Sequence, residues 1–273
     1  MSTLASSFDL TGRVAIVTGG AGLLGRQFCR TLAEAGAAVL ISDLNLNEAQ
    51  KLAGELANSK NQAVAQQTDV GDSASVSNMV TAALKNFGRV DILVNSAALD
   101  PKFDQTAGGK HSSAFEDYPL KAWEAALRVN LTGAFLCSQA AIKPMLDQGS
   151  GVIINICSTY GLGGPDQRIY QREGKPAQYK PVDYTVTKAG ILGLTKYLAT
   201  YYGNKNIRVN ALSPGGVFND HADDFVQAYS SRTVLGRMAR PDEMNGALLF
   251  LASDASSYMT GANLIVDGGW TAW

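Results

Sequence analysis

Thr18-Gly19-Gly20-Ala21-Gly22-Leu23-Leu24-Gly25 stands between the apolar run Val14–Thr18 and a segment of helical period that includes Phe28, Leu32 and Ala33. Strand, glycine-rich turn and helix therefore occur in the order that a phosphate-binding βα unit needs. Glycines permit positive φ and let the backbone approach a diphosphate, while a helix N-terminus offers N–H groups and partial positive charge. A tight turn with no ligand is the plain alternative. The next run, Ala38–Ser42, ends at Asp43-Leu44, and in a dinucleotide fold a carboxylate there grips the adenosine ribose hydroxyls. The same charge repels a 2′-phosphate, and no Arg or Lys occurs from Ala37 to Gln50, so NAD is favoured over NADP. The competing reading makes Asp43 a cap for the helix that follows.

Outward from this unit, short apolar runs alternate with longer segments of helical period, the pattern of repeated βαβ units. The candidate strands are Val14–Thr18, Ala38–Ser42, Ala63–Gln67, Ile92–Asn95, Val152–Cys157, Arg208–Leu212 and Leu264–Val266. Most are continuously apolar, as strands covered on both faces are. Asn47 and Asp72 are the expected N-caps, and Pro241 followed by Asp242 and Glu243 marks a rigid, acidic first helical turn. The expected fold is α/β: a single-domain, Rossmann-type, doubly wound sheet of about seven parallel strands with helices on both faces. Residues 99–118 and 160–183 break the rhythm after strand carboxyl ends, where open α/β sheets bind ligands. Residues 218–233 read as a short helical lid over the substrate.

Composition narrows the function classes. With 273 residues, 46% of them hydrophobic and 17% charged, the chain has material for a core and no signature of disorder. A net charge of −1 without runs of one sign argues against a nucleic-acid groove or a membrane-surface patch, so a small-molecule partner is expected. Cys29, Cys137 and Cys157 each sit in an apolar run and read as buried thiols. No leader or membrane-spanning segment is legible, which places the chain in the cytoplasm. His111 and His221 are isolated loop histidines, read as surface residues, and no metal site is expected.

Tyr184 and Lys188 lie four apart at the start of a helical segment running through Ile191, Leu194 and Leu198, which puts them on one helix face. Ser158 closes the strand Val152–Cys157, and Asn130 lies upstream in Arg128-Val129-Asn130-Leu131-Thr132-Gly133. With the glycine loop, Asp69-Val70, the Asn95 strand end, Ser213-Pro214-Gly215 and the ending Val266-Asp267-Gly268-Gly269, the sequence resembles the short-chain dehydrogenase/reductase family along nearly its whole length.

The resemblance implies an NAD-dependent oxidoreductase that moves a hydride between nicotinamide and a secondary alcohol or ketone, with Asn130, Ser158, Tyr184 and Lys188 as catalytic residues. Tyr184 exchanges the proton; Lys188 lowers its pKa, together with the positive nicotinamide ring, and holds the nicotinamide ribose. Ser158 holds the substrate oxygen, and Asn130 keeps a water in a proton relay reaching Lys188. The implied cofactor contacts are Gly19, Gly22, Leu23, Leu24, Gly25, Asp43 and Leu44, Asp69 and Val70 at the adenine, Asn95 and Ala97 beside the cofactor, Tyr184 and Lys188, and Pro214, Gly215, Val217 and Asn219 around the carboxamide. A homotetramer, with the helices of Asn130 and Tyr184 paired across subunits, is implied as well.

Three departures from the family pattern stand out. Leu23 replaces the usual middle glycine of the loop; Asn95-Ser96-Ala97-Ala98 replaces Asn-Asn-Ala-Gly; and Asn219 stands where threonine is common. The largest departure is the long insertion between Ser158 and Tyr184. It carries Arg168, Arg172, Lys175 and Lys180 against Asp166, Glu173 and Asp183, donors that suit a sugar or sugar phosphate. Ser158, Tyr160, Arg168, Tyr170 and Gly215 are the candidate substrate contacts. This insertion and the tryptophan-bearing C-terminus resemble, more weakly, the flagellin-modification and nonulosonic-sugar branch. Two other functions compete: a sugar-nucleotide epimerase or dehydratase with tightly held NAD, and a non-catalytic NAD-binding protein. The joint presence of Asn130, Ser158, Tyr184 and Lys188 weighs against the last.

Overall fold

A computed structural model of the chain describes residues 4–57, 62–100, 114–171, 174 and 177–273. Seven strands, β1 (Val14–Thr18), β2 (Ala38–Asp43), β3 (Ala63–Gln67), β4 (Ile92–Asn95), β5 (Gly151–Ile156), β6 (Ile207–Pro214) and β7 (Asn263–Val266), form one sheet in the order β3-β2-β1-β4-β5-β6-β7. Every pairing is parallel. The helices are α1 (Leu23–Glu34), α2 (Leu46–Leu56), α3 (Ser73–Phe87), α4 (Leu120–Ala126), α5 (Gly133–Gln148), α6 (Val182–Tyr202), α7 (Asp223–Ser230) and α8 (Asn245–Ala252).

The apolar strands are sorted by pleat into two cores. Ala15, Val17, Val39, Ile41, Ile92, Val94 and Ile154 face one side and pack with Phe28 and Leu32 of α1, Leu52 of α2 and Leu248 and Leu251 of α8. Ile16, Leu40, Leu93, Ile153 and Val209 face the other and meet Val76 and Met79 of α3, Cys137 and Met145 of α5 and Leu198 of α6. Each fully buried aliphatic side chain contributes about 1.5–3 kcal/mol before the cost of ordering the chain. The sheet order reverses between β1, which leads on to β2, and β4 on its other side. The carboxyl ends of these strands open a crevice at that switch point, the usual ligand position in such sheets.

Local details depart modestly from expectation. The side chain capping α2 is Asn45, accepting from the Glu48 N–H at 3.3 Å, and not Asn47, which sits inside the helix. Two asparagines two residues apart offer equal capping chemistry, and the Asp43 carboxylate settles the choice by accepting from the Asn45 N–H at 2.9 Å. Asp43 is thus not the cap itself. Asp72 does cap α3, accepting from the Ala74 N–H at 2.9 Å. Pro241 opens a 3₁₀ turn, Pro241–Met244, that leads into α8. β5 begins at Gly151 and stops at Ile156, and β6 runs on to Pro214, two residues beyond the expected Leu212.

Candidate active site

The glycine turn is held from both sides. The Gly20 N–H donates to the Ser42 carbonyl at 3.0 Å, and the Ala21 N–H donates to Asp43 Oδ2 at 3.0 Å, so β2 fixes the turn that follows β1. Gly19 has φ +63°, and a Cβ there would lie 2.8 Å from the Ala97 Cα. A Cβ on Gly25 would lie 2.0 Å from the Gly19 carbonyl oxygen, so only glycine lets α1 start this close to β1. Gly22 is the N-cap residue of α1 and its end carries no side-chain cap. First-turn amides of a helix have no intrahelical acceptor, and they suit a diphosphate. Leu23, where the family's middle glycine is usual, is the first residue of α1, is 37% exposed and lines the cavity that begins at this turn.

A cavity of about 710 Å³ runs from this turn across the strand ends. It is lined at one end by Gly19, Gly22, Leu23, Leu24, Gly25, Asp43, Leu44, Asp69 and Val70, and centrally by Ala97, Pro214, Gly215, Val217, Asn219 and Lys188. Ser158, Tyr160, Tyr170 and Tyr184 line the part beyond. Asp69 is engaged with Arg128 at 2.9 Å, and that hydrogen bond holds its carboxyl below the ordinary range.

Tyr184 and Lys188 occupy one face of α6, with the Lys188 ammonium 5.7 Å from the centre of the Tyr184 ring. The start of α6 is pinned by Asp183, which accepts from the Tyr118 hydroxyl at 2.6 Å. Lys188 Nζ donates to the Ile156 carbonyl at 2.8 Å, and burial pulls its pKa below the ordinary lysine value. Burial pushes the Tyr184 phenol above its usual value, the Asp100 carboxylate raises it further, and a hydrogen bond with Ser158 opposes both. The lowering implied by the sequence depends on Lys188 and a positive nicotinamide ring acting together, whereas the protein by itself leaves desolvation as the largest influence on this phenol.

Asn130 and Asn95 lie outside the large cavity. Asn130 sits in a π-helical turn, Leu127–Thr132, between α4 and α5. Its amide accepts from the Leu99 N–H at 2.6 Å and donates to the Leu99 carbonyl at 3.1 Å and to Thr187 Oγ1 at 3.3 Å. Asn95 Nδ2 donates to Asn155 and Ser138, while its Oδ1 is buried with no hydrogen-bond partner among the described residues. Asn95, Asn130 and Lys188 share the wall of a small void of about 10 Å³, close to the size of one water.

The insertion after Ser158 contributes selectively. Tyr160 and Tyr170 turn inward, joined by a 2.8 Å hydroxyl hydrogen bond, with burial raising both phenols. Arg168, an expected substrate contact, is not part of the lining; its guanidinium is 81% exposed and paired with Asp166 at 2.8 Å. The neighbouring carboxylate, two residues back, satisfies the fork locally. Arg172 and Lys175 lie outside the described residues, as do His111 and residues 101–113 of the earlier insertion. Lys180 does reach the cavity, paired with Asp100, its ammonium 4.0 Å from the centre of the Tyr184 ring.

His221 is not the surface residue its isolation suggested. It lines the cavity, accepts from the Asn219 N–H at 3.2 Å and stacks on Phe225 of α7 at 5.2 Å. Phe225, Tyr229 and Met238 complete this wall, with Trp270 stacked on Tyr229 at 4.3 Å. Burial pushes the Tyr229 phenol up to about 12. The sequence placed a helical lid over 218–233 without naming Phe225 or Tyr229, whose spacing of four puts both on one face of α7. Among the described residues no His, Cys, Asp and Glu group could hold a metal ion, and no helix is long and apolar enough to cross a membrane.

Residues 20–271 match the family model described as enoyl-(acyl carrier protein) reductase. The chain is 36% identical over 269 residues to a D-threitol dehydrogenase of Mycolicibacterium smegmatis, covering 97% of this chain and 95% of the relative. Its fold matches a solved short-chain type dehydrogenase/reductase from Mycobacterium marinum with a TM-score of 0.86, 32% identity and full coverage of both chains. A gluconate 5-dehydrogenase from Burkholderia cenocepacia, solved with NADP and tartrate, matches with a TM-score of 0.85 and 31% identity over 99% of this chain and 100% of that one. None of these three is named for the flagellin-modification or nonulosonic-sugar branch.

Proposed function

Because the chain belongs to the short-chain dehydrogenase/reductase family and is an oxidoreductase acting on secondary alcohols, we propose that it uses NAD in preference to NADP, with Tyr184 as the proton-transfer residue. The observation that carries the reading is the convergence of Ser158, Tyr184 and Lys188 on a cavity whose far end is the glycine turn. The turn fits a dinucleotide, since a Cβ at Gly19 or Gly25 would close the cradle.

A bound nicotinamide dinucleotide accepts or supplies the hydride and, when oxidised, brings a positive ring. In the oxidation direction Tyr184, as phenolate, would take the O–H proton while the carbinol hydride would go to the bound cofactor, leaving a ketone. The Ser158 hydroxyl holds the reacting oxygen. The phenol, raised by burial, becomes acidic enough to work only with positive charge beside it, which Lys188 supplies from the same helix face. Asn130 positions the small void beside Lys188; one water there, accepted by the orphaned Asn95 Oδ1, would carry the proton outward.

The preference for NAD rests on Asp43, whose carboxylate lines the cavity beside the glycine turn. Measured NADH formation over secondary alcohols, polyols, sugars and sugar phosphates tests the activity; none from any of these would reject it in favour of an epimerase or a binding protein. In the same assay Asp43→Ala should weaken NAD and narrow the NAD-over-NADP preference by about tenfold, the size expected for one charge-assisted contact. An unchanged preference would show that another group selects the cofactor.

Placement in the cytoplasm is supported by three free, buried cysteines. A homotetramer is supported by large apolar side chains left exposed on α5 and α6, among them Phe135 at 46% and Tyr197 at 61%. Sedimentation should show four copies; a stable monomer would reject that.

A further inference from the structure

We propose that the ion pair between Lys180 and Asp100 is the substrate's second anchor, selecting a neutral vicinal diol or polyol whose carbon next to the reacting carbinol bears its own hydroxyl. The proposal rests on the dehydrogenase reading and names the substrate class for it.

The backbone of Lys180, and that of the residue preceding Asp100, is bracketed from two sides by a side-chain amide. Gln167 Oε1 accepts from the Lys180 N–H at 2.8 Å, and Gln167 Nε2 donates to the Lys180 carbonyl at 3.2 Å. Asn130 treats Leu99, the residue before Asp100, in the same way, at 2.6 and 3.1 Å. The Lys180 side chain is only 7% exposed, whereas that of Asp100 is 47% exposed, and both residues line the cavity. The ammonium lies 4.0 Å from the Tyr184 ring centre, nearer than Lys188 at 5.7 Å.

Such a pair adds little to folded stability, because removing the charges from water cancels most of their attraction. Its position at the rim of the reaction centre, on two fixed backbones, is what a recognition device requires. A hydroxyl both donates and accepts, so one group can give its proton to Asp100 while taking a hydrogen bond from Lys180. A monohydric alcohol offers neither and leaves the pair desolvated without new partners. A carboxylate in the same place would gain Lys180 and oppose Asp100, because the pair together is neutral. Tyr160, Tyr170 and Phe225 face the same cavity and supply apolar surface for the carbon skeleton.

The experiment compares kcat/KM of the full chain with NAD for two matched pairs, cyclohexanol against its vicinal diol and sec-butanol against its vicinal diol, together with β-hydroxybutyrate. The diols should exceed their monohydric partners by about 10- to 100-fold, the effect of one hydrogen-bonded charged partner. Lys180→Met and Asp100→Asn should each bring that ratio close to unity, with NADH still bound in a fluorescence titration as proof that the variants are folded. Equal rates for diol and monohydric alcohol in the parent chain, or preference for the hydroxy acid, would overturn the proposal and leave the dehydrogenase reading standing. An equal loss on both alcohols in the variants would also overturn it, making the pair a prop for Tyr184. Turnover in the wider screen above but from neither diol would overturn the proposal as well, and NADH formation from none of the five compounds and none of that screen would instead overturn the dehydrogenase reading itself.

Discussion

Tyr184→Phe should lower kcat for alcohol oxidation by about 10²- to 10⁴-fold, the usual contribution of a positioned proton donor or acceptor. NADH binding should change little, since the phenyl ring still fills the space between Tyr160, 6.5 Å away edge-on, and the Lys180 ammonium. Stopped turnover with intact binding separates proton transfer from cofactor recognition, which a Lys188 substitution cannot do because the proposed roles of Lys188 include both. Activity within a few-fold of the parent would remove Tyr184 from the mechanism and leave Ser158 without its hydrogen-bond partner as the remaining polar group.

Gly25→Ala should be nearly as damaging by an unrelated route. The added methyl would lie 2.0 Å from the Gly19 carbonyl oxygen, 2.8 Å from its carbon and 2.9 Å from the Gly20 Cα, all of them backbone. Relief requires α1 to move away from β1, at a cost of about 1–3 kcal/mol in overpacking. The same movement carries the first-turn amides off the diphosphate position. Thermal unfolding should begin several degrees lower, and NADH affinity should fall by more than about tenfold, a loss on the scale of one charge-assisted hydrogen bond. Gly54→Ala in α2 is the matched control: nothing lies within 4 Å of its new Cβ, so helix propensity should raise stability by up to about 1 kcal/mol. If both substitutions behaved alike, close approach at Gly25 would not be what the turn depends on.

The sheet was readable because its strands are covered on both faces. Val14–Thr18 and Ile92–Asn95 are apolar up to their last residues, and their expected limits coincide with the observed ones. β6 was underestimated at its end, where Ser213 and Pro214 look like loop chemistry but still pair with β7. The glycine turn and the Tyr184/Lys188 spacing were readable because both are local: one needs only a strand and a helix around it, the other only one helix face. Arg168 and Lys180 show where that stops. In sequence they are equivalent cations in one insertion, and only the fold decides that Arg168 folds back on Asp166 while Lys180 crosses to Asp100 from the β4 exit. His221 was misjudged for the same reason, its partners Asn219 and Phe225 being local but the cavity they face being assembled from distant strands. The π-helical turn that carries Asn130 has no signature in composition or period.

Asn130 grips peptide groups at Leu99, not a side chain, and touches the reactive helix through Thr187. The rim residue that follows, Asp100, can therefore be exchanged for another without loosening the grip, because neither gripped group belongs to it. On the roles proposed above, chemistry and choice of substrate would be mechanically coupled but genetically separable: position 100 would be free to drift toward new alcohols while the proton-handling groups behind it stay where they are.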